Sequence, residues 1–144
     1  MKKPNLIFLC THNQARSQMA EAFLKKYAGD FFNVFSAGFE KRKIHPLTLK
    51  VMKEKGYDLS DQYSKELKQF LGEKHFGIVI TMCQKAEQLC PIIPGVSTRL
   101  YWEIEDPAAI DGSEEEHLEK FRKIRDLIEE KIKSWLKERE ILKK

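Results

Sequence analysis

The chain has 144 residues, 42% of them hydrophobic and 33% charged, with a formal net charge of +4. That length fits one domain spanning 1–144, large enough to bury a core without a disulfide framework. The composition excludes a disordered or collagenous chain, and no apolar run approaches the ~20 residues of a bilayer span. Lys and Glu are interspersed, so the mild positive excess reads as a solvated surface rather than a nucleic-acid footprint.

In chain order, the short apolar run from Asn5 to Cys10 predicts a central strand. Met19, Phe23 and Tyr27 at helical spacing predict a helix from Ser17 to Ala28, stopped at Gly29. Phe31 to Phe35 reads as the second strand. Pro46 opens a helix closed by Gly56, the usual asymmetry of helix ends. A short helix is expected from Ser64 to Phe70, a third strand from Phe76 to Met82, and a fourth from Thr98 to Trp102. Pro91, Pro94 and Gly95 mark the segment from Gln84 to Val96 as irregular, with Gln84 to Leu89 either a short helix or a loop. Ser113 and Glu116 form a capping box ahead of the stripe Leu118, Phe121, Ile124, Ile128, Ile132 and Trp135. The resulting helix, to about Glu140, spans ~42 Å, and its end is expected to overhang the domain or fray. Strands alternating with helices predict a parallel sheet covered on both sides.

The cysteine count is odd: Cys10, Cys83 and Cys90. A complete disulfide scaffold is therefore excluded. The lysine-led stretch from Leu6 to Leu9 is too short for the apolar region of a secretory signal. The expectation is a cytoplasmic protein, where thiols stay reduced. No C-x-x-C pair exists, and His12, His45, His75 and His117 are scattered, so neither a metal nor a cofactor is expected.

The segment Cys10, Thr11, His12, Asn13, Gln14, Ala15, Arg16, Ser17 lies between the first strand and the first helix. A loop there turns backbone N–H groups toward one centre beside the positive helix end, which suits an oxyanion. Arg16 can add a bidentate fork. Cys10 faces the same field, which favours a thiolate aimed at the bound anion. Ser17 and Asn13 can also be read as simple caps of the helix.

Residues 10–21, C-T-H-N-Q-A-R-S-Q-M-A-E, resemble the opening motif of the low-molecular-weight tyrosine phosphatase superfamily, and within it the thioredoxin-coupled arsenate reductases. Ser36-Ala37-Gly38, His45-Pro46, Ile80-Thr81-Met82-Cys83, Cys90-Pro91 and Asp106-Pro107-Ala108 extend the likeness along nearly the whole chain. The resemblance implies a flavodoxin-like three-layer fold with a four-stranded parallel sheet. It implies Cys10 as nucleophile, Arg16 as oxyanion clamp, Ser17 as the hydroxyl on the Cys10 thiolate and Asn13 as a brace for the loop. Asp106 matches the general acid, although Asp-Pro also initiates turns; Glu105 is its nearest competitor.

The same resemblance implies arsenate as substrate, with phosphate or sulfate as analogues. Cys83 would attack the arseno-thiolate on Cys10, Cys90 would then take over the disulfide, and thioredoxin or a related dithiol would regenerate the enzyme. Each exchange is ordinary thiol–disulfide chemistry. Residues seven apart on a rigid helix lie ~10 Å apart, so this reading requires the 83–90 segment to rearrange. Two other readings stand: a phosphatase working through a Cys10 thiophosphate, and a non-enzymatic oxyanion-binding or redox-sensing module.

The chain departs from the family pattern in four places. His12 stands where many reductases carry glycine, a position that tolerates His if φ is positive. Ala15 replaces a second loop cysteine. Ala108 and Ala109 follow Asp106 where phosphatases carry paired aromatics, which favours a small inorganic oxyanion. Some members bind potassium through residues matching Asn13, Glu21, Ser36 and an Asp. Here Lys65 holds the fourth place, either as a solvated helix residue or with its ammonium in the cation's position. Tyr101 and Trp102 read as sheet packing.

Overall fold

A computed structural model describes residues 3–109 and 111–141; the ends of the expected 1–144 span lie outside the described residues. The elements are β1 (Asn5–Leu9), α1 (Arg16–Ala28), β2 (Asn33–Ala37), α2 (Pro46–Glu54), a 3₁₀ turn at Leu67–Gln69, β3 (Ile78–Thr81), α3 (Gln84–Leu89), β4 (Thr98–Tyr101) and α4 (Glu114–Glu138). The strands form one parallel sheet in the order β2-β1-β3-β4, as expected for a flavodoxin-like fold. Ile7 pairs with Phe35 on one side and Val79 on the other.

β1 and β3 are central strands covered on both faces, which is why they are uninterrupted apolar runs. Alternation sends Leu6, Phe8, Ile78 and Ile80 to one face, under Met19, Phe23, Met52, Phe121 and Ile128 of the three long helices. Ile7, Leu9 and Val79 face the other way, onto Leu67, Phe76 and Cys90. Among the described residues that second layer holds no long helix. Phe35, Phe70 and Phe76 close it with edge-to-face contacts at centroid distances of 5.6 to 5.9 Å.

The capping box of α4 is formed reciprocally by Ser113 and Glu116. The helix has 25 residues, about 37 Å at its rise per residue. It does not overhang: Trp135 and Leu136 are buried in its last turns, and Trp135 stacks on Phe32 at 5.7 Å. No helix among the described residues is long and apolar enough to cross a membrane.

Four local expectations are corrected. β2 begins at Asn33, because the amides of Phe31 and Phe32 turn back to the Ala28 carbonyl. The helix expected from Ser64 to Phe70 shrinks to the 3₁₀ turn. Lys65 and Glu66 instead bridge the end of β2, through Gly38 N to Lys65 O and Leu67 N to Gly38 O, both 2.8 Å. The first half of the supposedly irregular Gln84 to Val96 segment is the helix α3, with Cys83 as its N-cap and Cys90 as its C-cap. Tyr101 is exposed at the sheet edge, whereas Trp102 packs on Phe8 at 6.0 Å.

Candidate active site

The turn from β1 into α1 is shaped by where its carbonyls go. Thr11 O accepts Phe39 N and Glu40 N, and His12 O accepts Arg42 N and Ser64 Oγ. Asn13 O accepts Gln18 Nε2, and Gln14 O accepts His45 N and Thr48 Oγ1. All four carbonyls are therefore tied to the surrounding chain. A trans peptide sends its C=O and N–H to opposite sides, so the amides of residues 12–15 are turned away from these outer partners. Such an arrangement suits an oxyanion.

Asn13 makes this turn possible. It takes a positive φ of 54°, a conformation Asn tolerates better than most residues. His12 is not among the positive-φ residues, so the strain expected there falls one position later. Gly38 presses on the same turn: a Cβ there would lie 2.7 Å from Thr11 O and 2.9 Å from Asn13 N.

Asn13 uses its whole hydrogen-bonding capacity. Its Nδ2 donates to Ser17 Oγ at 2.8 Å and to Ser36 Oγ at 3.0 Å. Its Oδ1 accepts Gln18 Nε2 at 2.8 Å and Lys65 N at 2.9 Å. Ser36 passes the chain on, donating to Glu21 Oε1 at 2.5 Å. Since Ser17 Oγ accepts from Asn13, its single hydrogen is available to Cys10 Sγ at 2.8 Å. Cys10 is buried, and Ser17 is fully so. The N-cap of α1 is Ala15, with no side-chain cap, so neither Ser17 nor Asn13 serves as a cap.

Arg16 Nη1 donates to the Ile104 carbonyl at 2.9 Å, and its Nη2 stands 3.8 Å from Asp106 Oδ2. The other Asp106 oxygen accepts Ala108 N at 2.9 Å, so Asp106 forms its turn and faces Arg16 at once. Glu105 is turned away, paired with Lys120 at 2.6 Å. Cys83 is brought to the loop: its Sγ lies 3.4 Å from Thr11 Oγ1 and accepts Ala86 N at 3.4 Å. Cys90 is not. It is buried in the second apolar layer, with its Sγ 3.5 Å from its neighbour's carbonyl, Pro91 O, and burial pushes its thiol pKa up. All three cysteines are free.

Lys65 is not solvated. Its ammonium lies 3.5 Å from Glu21 Oε1 and donates to Tyr63 O at 2.7 Å. Lys25 pairs with the other Glu21 oxygen at 2.5 Å. The cluster of Asn13, Glu21 and Ser36 already contains a fixed cation, so it does not fit an added potassium ion. Among the described residues no cluster of His, Cys, Asp or Glu could hold a metal. Gln18 and Gln62 complete the loop's outer support, with Gln62 Nε2 donating to Gln18 Oε1 at 2.8 Å. Neither residue stands out in the sequence, because a glutamine carries no positional signal before its partner is known.

Residues 5–144 match the family described as low molecular weight phosphotyrosine protein phosphatase. The chain belongs to that family. Within it, the chain is 43% identical over 135 residues to the arsenate reductase of Halalkalibacterium halodurans, covering 94% of this chain and 96% of that protein. A solved arsenate reductase in a phosphate binding state superposes with a TM-score of 0.75 at 28% identity, over 94% of this chain and 98% of that one. A thioredoxin-dependent arsenate reductase from Corynebacterium glutamicum is 35% identical with a TM-score of 0.66, over 92% of this chain and 61% of that one. The site therefore joins the phosphatase family's scaffold to a second thiol beside the loop, and the two features together bear on the reaction.

Proposed function

We propose that the protein is an arsenate reductase in which Cys10 attacks arsenic and Cys83 and Cys90 carry the oxidation away. The observation that carries this reading is the second thiol at the loop, with Cys83 Sγ 3.4 Å from the hydroxyl of the residue after Cys10. A hydrolase needs only the first thiol. The similarity to arsenate reductases over nearly the whole chain supports the same choice.

In the proposed sequence the amides of residues 12–15 and the Arg16 fork hold arsenate. The Cys10 thiolate, fed by the Ser17 hydroxyl, forms the S–As bond as Asp106 protonates the departing oxygen. The Cys83 thiolate then attacks Cys10 Sγ. The S–As electron pair leaves with arsenic, which departs as arsenite. Cys90 next attacks Cys83, releasing Cys10 as a thiolate and leaving a Cys83–Cys90 disulfide. A thioredoxin-type dithiol reduces that disulfide and becomes oxidised itself. This chemistry suits a cytoplasmic setting.

The test is a coupled assay with arsenate, thioredoxin, thioredoxin reductase and NADPH. Arsenate-dependent NADPH oxidation is expected, and a flat trace would sink the proposal. Cys83→Ser is expected to stop turnover while sparing any hydrolysis of an aryl phosphate, the activity the family name supports as a second reading. Equal loss of both activities would contradict separate roles for Cys10 and Cys83.

A further inference from the structure

α3 is held in place by very little apolar packing. It has six residues, too few for a helix to persist by itself, and Ala86 is its one buried residue. Its hold is polar instead, and most of it comes from one side chain on β4. Arg99 Nη2 donates to Glu87 Oε1 at 2.7 Å, to Glu87 O at 3.3 Å and to Cys90 O at 3.5 Å. Its Nη1 donates to Pro91 O at 3.2 Å. One guanidinium thus collects the carbonyls of Glu87, Cys90 and Pro91 where α3 ends. Thr81 of β3 donates to the second Glu87 oxygen. Glu87 is therefore gripped by two adjacent strands, and the Cys90 backbone is fastened to the same fork.

This grip has a chemical consequence. It keeps the Cys90 thiol in the second apolar layer, while Cys83 sits in the first with Cys10. The two thiols bracket an intact helix and cannot meet until it opens, since a disulfide needs Cα atoms within ~7 Å.

We propose that Arg99 and Glu87 are positioning residues, a polar clasp that withholds Cys90 in the reduced protein and delivers it when the clasp opens. The proposal rests on the three-cysteine reading above. Once α3 opens, the Cys90 thiolate attacks Cys83 Sγ. The Cys83–Cys90 bond forms, the Cys10–Cys83 bond breaks, and Cys10 leaves with the electron pair. A clasp suits this task better than apolar burial would. Its groups are about one-third exposed (32% for Arg99 and 31% for Glu87), so opening exchanges hydrogen bonds for water and exposes little oily surface.

The test is the alkylation rate of each cysteine in the reduced full chain, measured with iodoacetamide and read by peptide mass. Arg99→Met keeps much of the side chain's length and removes all four bonds. It is expected to raise Cys90 alkylation about tenfold, while Cys10 stays within about twofold of wild type. Glu87→Gln keeps a partner for Thr81 and weakens the ionic contact, so a smaller rise is expected. In the Arg99→Met background Glu87→Gln should add nothing, because the shared contact is already gone. Added KCl should raise Cys90 alkylation in wild type and leave the Arg99→Met variant unmoved.

An unchanged Cys90 rate would overturn the clasp. So would a parallel rise at Cys10, which marks general loosening. The cascade is tested separately by giving arsenate to the wild-type protein without any dithiol. Absence of a Cys83–Cys90 disulfide there would refute the cascade and leave the alkylation result standing on its own.

Discussion

Glu21 is a buried carboxylate with cations on both sides, but the two lysines are not equivalent. Lys65 is itself buried and donates to Tyr63 O, whereas the Lys25 side chain is 49% exposed. Burial lowers the Lys65 pKa, and the neighbouring Glu21 opposes that shift. Removing one partner of a buried pair leaves an uncompensated charge, so Lys65→Met should cost about 3 kcal/mol. Lys25→Met, at the solvent, should cost less than about 1 kcal/mol. Urea unfolding of the two variants checks the order, and equal losses would mean that Lys65 does not stand in for a cation. At this scale the sequence yields Cys10, Arg16, Ser17 and Asn13, because they lie on one turn and their order announces a common centre. It offers the Lys65 ammonium in the cation's position only as one of two readings, and it does not yield Gln18 and Gln62 as supports. Lys65 is 44 residues from Glu21, and Gln62 is 44 residues from Gln18, so only the fold brings these pairs together.

The junction of β2 with the loop shows how one element constrains another. Gly38 ends the strand under the turn, and the atoms a Cβ would strike at 2.7 to 2.9 Å are all backbone atoms of Thr11, His12 and Asn13. No rotamer can relieve that clash, so Gly38→Ala must push the loop away from its sheet. A displacement of about 1 Å at a reacting group is worth roughly a hundredfold in rate. Gly38→Ala should therefore lose about that much of the first-turnover rate with arsenate while keeping its far-ultraviolet circular dichroism. Retained activity would show that the loop position is not set from β2. Long elements such as α4 are legible because their apolar stripe repeats over many turns. α3 is legible only as a choice between a short helix and a loop: six residues show no period, its caps are cysteines rather than Ser or Asp, and the prolines and glycine just beyond it suggest a coil. Tertiary hydrogen bonds from Arg99 and Thr81 override that local signal.

Across the whole molecule, two half-buried histidines bear on stability in mild acid. His12 and His45 both have pKa values lowered chiefly by burial. Arg42 lowers His12 further and His117 lowers His45, while Asp106 acts in the opposite direction on both. The geometry of His45 agrees, because its Nδ1 accepts Leu47 N at 3.1 Å and caps α2, which a doubly protonated ring cannot do. The unfolded chain takes up these protons near pH 6.5, and the native chain resists them until lower pH. The unfolded state then binds more protons, so stability falls as pH drops through and below ~6.5. Carboxylates act later. Glu54, held near a pKa of about 2 mainly by the Arg122 guanidinium, loses its contribution only well below the histidine window. The urea midpoint should therefore fall between pH 7.5 and 5.5, before carboxylate protonation matters. His45→Asn keeps a cap acceptor and removes the titration. It should flatten that slope in part, with His12 supplying the remainder. A variant with the full wild-type slope would exclude His45 as a source, and a wild-type midpoint that does not move would exclude both histidines.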